Sequence, residues 1–179
     1  RRLSRQVSYL DEHPDVGLVG CWPEFIDANG ALTEDLGHFR VTGNTALQRG
    51  LLRGCCICSP SVIVRKALVE KVGGYDPDYG SAAEDYDWLL RLAEASQVEN
   101  LPEPLYQYRQ HPQSVTHTQR GLIMHRAGQA LEAAFERRLP VAAPPEIGPR
   151  VAGYFLMAAY HRLMEADIAG AGESARRAQ

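Results

Sequence analysis

The run Val16-Gly-Leu-Val-Gly-Cys-Trp22 constrains the fold more than any other segment. It is short, and its apolar residues do not alternate with polar ones. A strand of that kind is buried on both faces, and helices cover both faces of such sheets in α/β proteins. Helical patterns flank it in sequence. Upstream, Leu3, Val7 and Leu10 recur at helical spacing until His13-Pro14 stops them. Downstream, after the turn signal Asp27-Ala-Asn-Gly30, Asn44 caps an expected helix through Leu52, with Ala46, Leu47 and Leu51 on one side.

The alternation continues. Ser61-Val-Ile-Val-Arg65 reads as a strand. Lys66 to Val72 reads as a helix closed by Gly73-Gly74. A loop, Tyr75-Asp-Pro-Asp-Tyr-Gly80, leads into a helix over roughly 82–95. Residues 98–111 are extended, broken by Pro102 and Pro104. Past Thr118 the pattern is helical only: 122–139, a Pro/Ala-rich linker over 140–149, and 151–168, with Gly170 and Gly172 marking the end. The expected fold class is α/β, a partial mixed sheet with flanking helices. The domains divide as 1–120 and a helical extension, 121–179.

Composition excludes several functions. The net charge of −3 supplies no electrostatic grip on nucleic acid or an anionic membrane. Cys55, Cys56 and Cys58 crowd too closely for a tetrahedral zinc site and read as buried thiols in a reducing, cytoplasmic setting. No apolar run approaches a bilayer span. Phosphate-loop, dinucleotide-binding, zinc-protease and α/β-hydrolase signatures are missing. Arg1-Arg2-Leu3 reads as the interior of a longer sequence, so a fragment is expected.

The sharpest chemical feature is Ser81-Ala-Ala-Glu84-Asp85-Tyr-Asp-Trp88-Leu-Leu-Arg91-Leu92. Ser81 with Glu84 has capping-box spacing. Residues 85, 88, 89 and 92 share one helical face, so Asp85 begins an apolar stripe with Trp88, Leu89 and Leu92. Burial raises a carboxylate's pKa and a helix N-terminus lowers it; an ionised, partly desolvated carboxylate is a competent general base. The alternative is a carboxylate that merely satisfies the helix end. Asp76-Pro-Asp78 resembles a metal-binding pair, but Asp-Pro initiates turns. Arg109 and His111 alternate onto one strand face, where they could meet a phosphate or, for His111, a metal. Glu84 and Asp85 point about 100° apart, so they cannot flank one bond as glycosidase carboxylates do.

Several segments occur in a telling order: Arg2-Leu3-x-x-Gln6-Val7, Val16-Gly-Leu-Val-Gly20, Ser59-Pro-Ser-Val-Ile-Val-Arg65, Val72-Gly-Gly-Tyr-Asp76, Glu84-Asp85-Tyr-Asp-x-x-x-Arg91-Leu92, and Leu101-Pro-Glu-Pro-Leu-Tyr-x-Tyr-Arg-x-His-Pro-x-Ser114. Over about residues 1–118 the chain resembles the second half of family 2 glycosyltransferases of the GT-A fold. The resemblance implies a nucleotide-sugar donor and a hydroxyl acceptor, which is a saccharide, a lipid-linked saccharide or a protein. It implies inverting, non-processive transfer in cell-surface polysaccharide synthesis, in the cytoplasm or at the inner membrane face. Asp85 becomes the base, with Glu84 beside it. Gly74, Tyr75 and Asp76 shape the acceptor pocket, and Trp88, Arg109 and His111 join the substrate site.

The resemblance also implies a divalent cation, Mg²⁺ or Mn²⁺, in the full-length enzyme, and none is expected on this fragment. His111 is the one candidate metal neighbour. The family's nucleotide-binding half, with its Asp-x-Asp motif, lies ahead of the Arg-Leu-x-x-Gln helix. The chain alone is therefore expected to be inactive, and unpaired strand edges are expected to make it a homo-oligomer. The rival reading is an assembly module that binds through the C-terminal helices.

Overall fold

The computed structural model describes residues 1–33, 37–138 and 147–179. Residues 140–146 of the expected linker lie outside that set, and 147–149 already belong to a helix. The order is α1 (Arg2–Glu12), β1 (Val16–Ile26), α2 (Asn44–Leu51), β2 (Ile63–Val64), α3 (Lys66–Val72), α4 (Glu84–Ala95), β3 (Gln97–Arg109), α5 (Val115–Thr118), α6 (Arg120–Arg138), α7 (Ile147–Met164) and α8 (Ile168–Arg177). Two 3₁₀ turns, Ser59–Ser61 and Pro77–Tyr79, interrupt the loops. The fold is α/β around a small mixed sheet, followed by helices. It has two compact units: Arg1–Gly74 with Leu89–His111, and Tyr75–Trp88 with Pro112–Gln179.

In the first unit β1 is central, in the order β2-β1-β3. β2 is antiparallel to it through Leu18↔Val64 and Val19↔Ile63; β3 is parallel from Val16↔Gln97 to Ile26↔Arg109. The expected strand over 61–65 shrinks to two residues because Ser59–Ser61 winds into a 3₁₀ turn led by Pro60. The prolines at 102 and 104 do not break β3. They shift its register instead, so that Leu101 pairs with Cys21 and Pro104 with Trp22, as expected where a ladder N–H is missing.

On one face of β1, Val19 and Cys21 pack with Leu10, Val16 and Leu101. On the other face, a Cβ at Gly20 would lie 2.3 Å from Asn100 Oδ1 and would force that side chain to move. Asn100 is fully buried, and its amide donates to the carbonyls of Val41 and Cys56 at 3.1 and 3.3 Å.

α1 is seated by a buried amide. Gln6 is 0% exposed, and its Nε2 donates to Val19 O at 3.0 Å and to Ser61 O at 2.8 Å. Arg2 donates to Gln6 Oε1 and to Ser61 O. Arg65 closes the far end of α1, donating to the carbonyls of Val16, Leu10 and His13. The Arg-Leu-x-x-Gln and Ser-Pro-Ser…Arg segments thus build one scaffold. Gln6→Ala is expected to lower unfolding free energy by about 1–3 kcal/mol, since a buried carbonyl loses its donor; a urea titration followed by circular dichroism measures it.

The second unit is held by α6, α7 and α8. Ala127, Ala130, Leu131, Ala134 and Phe135 of α6 are buried, as are Phe155, Ala158 and Ala159 of α7. The helices approach closely, because a Cβ at Gly121 would lie 2.7 Å from the Arg162 backbone nitrogen. Sequence reading missed α8. Gly170 and Gly172 sit inside it rather than ending α7; the break comes at Ala166, in the left-handed region at φ 62°, and Asp167 then caps α8 by accepting from Gly170 N at 2.9 Å. Among the described residues, no helix is long and apolar enough to cross a membrane.

Three buried polar side chains meet between these helices. His125 Nδ1 lies 2.9 Å from Ser174 Oγ, and Arg162 donates to Gly170 O at 2.9 Å. Burial, and then the Arg162 charge, hold the His125 pKa below 6.5. The unfolded chain binds a proton near pH 6.5 that the folded chain resists. This stability is therefore present above about pH 6.5 and is lost as pH falls below it. His125→Gln is expected to flatten that decline in melting temperatures measured between pH 7.5 and 5.

Candidate active site

The loop and helix that carry the carboxylates start from a strained turn. α4 begins at Glu84, not Ala82, so Ser81 lies too far upstream to cap it and the capping box does not form. Ala83 precedes the helix with φ 64° and is 8% exposed. A left-handed alanine costs about 1–2 kcal/mol, and such outliers cluster where function fixes the backbone. Gly80 also has positive φ, 62°. Glu84, Asp85 and Asp87 then crowd the first turn, where the helix dipole favours negative charge.

The stripe over 85, 88, 89 and 92 is present. Leu89 and Leu92 are 0% exposed, while Asp85 and Trp88 are half-buried. Glu84 is half-buried as well. Tyr75 packs edge-on against Trp88, ring centroids 5.1 Å apart. Asp76 accepts from Asp78 N at 2.9 Å and caps the Pro77–Tyr79 turn, the ordinary role of Asp-Pro. Gly74 lends its carbonyl to Arg91, which donates to Val72 O at 3.1 Å and Gly74 O at 2.8 Å. Arg91 thereby ties the end of α3 and the Gly-Gly turn to α4. No Cβ clash requires glycine at 74.

The Arg109–His111 pair does not form as expected. β3 ends at Arg109, so the strand alternation stops short of His111, which is exposed. The Arg109 guanidinium donates to the carbonyls of Asp27 and Ala28 at 2.8 and 3.0 Å. It fastens the turn after β1. Among the described residues, no three His, Cys, Asp or Glu side chains gather as a metal ion needs. The described residues therefore do not by themselves make a cage for the implied divalent cation. The four cysteines are free thiols, and burial pushes Cys56 up to about 11.

Sequence reading passed over Asp87. It is 3% exposed, with Arg137 Nη1 of α6 4.0 Å from its Oδ1. Its charge also reaches Tyr79, whose pKa is pushed up to about 12, first by burial and then by Asp87 and Asp76. No local pattern announces this. Arg137 lies about fifty residues further along the chain, beyond the reach of any local spacing rule.

The family description that matches is glycosyltransferase like family 2, over residues 4–131. The chain belongs to that family, and glycosyl transfer is the chemistry this membership supports. No curated protein matches the chain. The matched region runs past α5 into α6, so part of the helical tail lies inside it.

Asp87→Asn is expected to cost about 1–3 kcal/mol, the scale of an unpaired buried polar group. Arg137→Gln should cost less, because that side chain is 35% exposed and can turn to water. Denaturant midpoints of both variants and the double mutant measure the coupling.

Proposed function

We propose that this domain transfers a sugar from a nucleotide-sugar donor to an acceptor hydroxyl with inversion, and that Asp85 is its general base. The supporting observation is the placement of Asp85: half-buried in the first turn of α4, just after an alanine held in a left-handed conformation. A carboxylate there is neither sealed away nor fully hydrated. The helix dipole favours its charged form.

In the proposed step the acceptor oxygen attacks the anomeric carbon from the face opposite the diphosphate. Asp85 takes the hydroxyl proton as the new C–O bond forms. The bond to the diphosphate oxygen breaks, and nucleoside diphosphate leaves with the electron pair. Glu84 stands beside the base. The Gly74-Tyr75-Asp76 turn and Trp88 form the acceptor side; Tyr75 against Trp88 supplies an aromatic surface of the kind that receives a sugar's apolar face. The setting is cytoplasmic, at or near the inner membrane face.

Asp85→Asn keeps the charge-independent shape and removes the base. In the full-length enzyme, assayed with UDP- or GDP-sugars, Mn²⁺ and a panel of hydroxyl acceptors, it is expected to lower turnover by about 10²- to 10⁴-fold. Calorimetry should find donor affinity little changed. Turnover that survives the substitution would remove Asp85 from the mechanism.

A further inference from the structure

α7 is apolar on two opposite faces, and the structure covers one of them. Phe155, Ala158, Ala159 and Arg162, at i, i+3, i+4 and i+7, are buried in the helical unit. Leu156, Met157, Tyr160, Leu163 and Met164 follow the same helical rhythm on the outer side, and Ile168 continues the patch at the start of α8. These six are each between 49% and 71% exposed. A helix that is hydrophobic all round belongs in an interior.

We propose that this outer face is the seat of a second copy of this chain, with two α7 helices lying antiparallel across a two-fold axis. Three observations favour that occupant. The first is area: the six side chains expose on the order of 700 Å², near the ~800 Å² each partner gives a standard interface and above the patches that monomers ordinarily carry. The second is charge. Arg150 is exposed at the start of α7, and Glu165 and Asp167 are exposed just past its end. Antiparallel pairing brings each copy's basic end to the other's acidic end.

The third is shape. A two-fold axis between positions 158 and 159 sets Met157 against the other copy's Tyr160, and Gly153 against its Met164. Gly153 has open space where a Cβ would stand, so the small residue receives the large one. An isologous contact of this kind closes on itself and builds no fibre. The acidic end of the patch disfavours an anionic lipid surface, which wants flanking lysine and arginine.

Size exclusion with light scattering on the full chain tests this. The expected result is a dimer at about 100 µM that dissociates on dilution. Met157→Glu, at an exposed position, should keep the helical circular dichroism and raise the dissociation constant about 30-fold or more. Arg150→Glu should raise it about 3- to 10-fold, more at low salt. A monomer at ~100 µM, or a dimer that neither variant weakens, overturns the proposal. So does flotation with phosphatidylglycerol vesicles that Met157→Glu abolishes, which would assign the face to lipid. The result is independent of Asp85, since none of these readouts measures transfer.

Discussion

The amide of Gln6 is the constraint on which the first unit rests. A helix laid against a sheet presents no hydrogen-bonding groups of its own, so apolar packing alone lets it slide. Gln6 removes that freedom by donating to Val19 O in the central strand and Ser61 O in the 3₁₀ turn. With Arg65 anchoring the other end of α1 through three carbonyls, the helix has one position. The cost of a buried amide is offset because both its hydrogens and its oxygen are used. Ser61 takes part twice: its carbonyl receives Gln6 and Arg2, and its hydroxyl accepts from Cys21 N at 3.2 Å. Strand, helix and turn are therefore fixed together.

α4 contributes residues to both compact units. Its later residues, Leu89, Leu90 and Leu92, are fully buried in the first unit, and Arg91 ties it to the end of α3. Its first turn belongs to the second unit, where Asp87 meets Arg137. One helix thus carries residues of both compact units, and the half-buried Asp85 sits on the segment with the strained entry. An alanine in the left-handed region persists only where its surroundings over-determine it. Here the adjoining residues Ala82, Tyr86 and Asp87 are all buried. The role proposed for Asp85 calls for that kind of support, because a carboxylate on a mobile loop would trade position for hydration.

What the sequence made legible follows from locality. β1, α1, α3 and the stripe on α4 are written in short-range patterns, and Gly73 ends α3 at φ 86° as its place in the chain suggests. The misreadings share a cause. Ser81 and Glu84 satisfy a capping-box spacing, but the left-handed Ala83 starts the helix later. Asn44 has the character of a cap, yet Gly43 takes that place and the Asn44 side chain accepts from Val98 N in β3 at 3.1 Å. Gly170 and Gly172 read as a stop because glycine disfavours helix. Packing overrides that preference in α8, where Ala171 and Ser174 are buried against neighbours. At the candidate site, the Glu-Asp pair is visible in the sequence, whereas the contact of Asp87 with Arg137 is not, since Arg137 lies in another helix.

The polar centre of the helical unit bears on why α7 stays apolar outside. His125, Arg162 and Ser174 already fill the space between α6, α7 and α8 with hydrogen-bonded groups. Arg162 occupies the end of α7's inner face, so that face offers Phe155, Ala158 and Ala159 as its apolar core. A helix held on such a narrow strip gains modest hydrophobic stabilisation, roughly 25 cal/mol for each Å² removed from water. Burying the outer face in a second copy would add area on the other side and leave the polar centre intact. A monomer under no such demand would gain solubility from charge at Met157 or Leu163, at no loss to its interior. The persistence of five large apolar side chains on an exposed face is thus more economically explained by a contact than by the packing of the monomer.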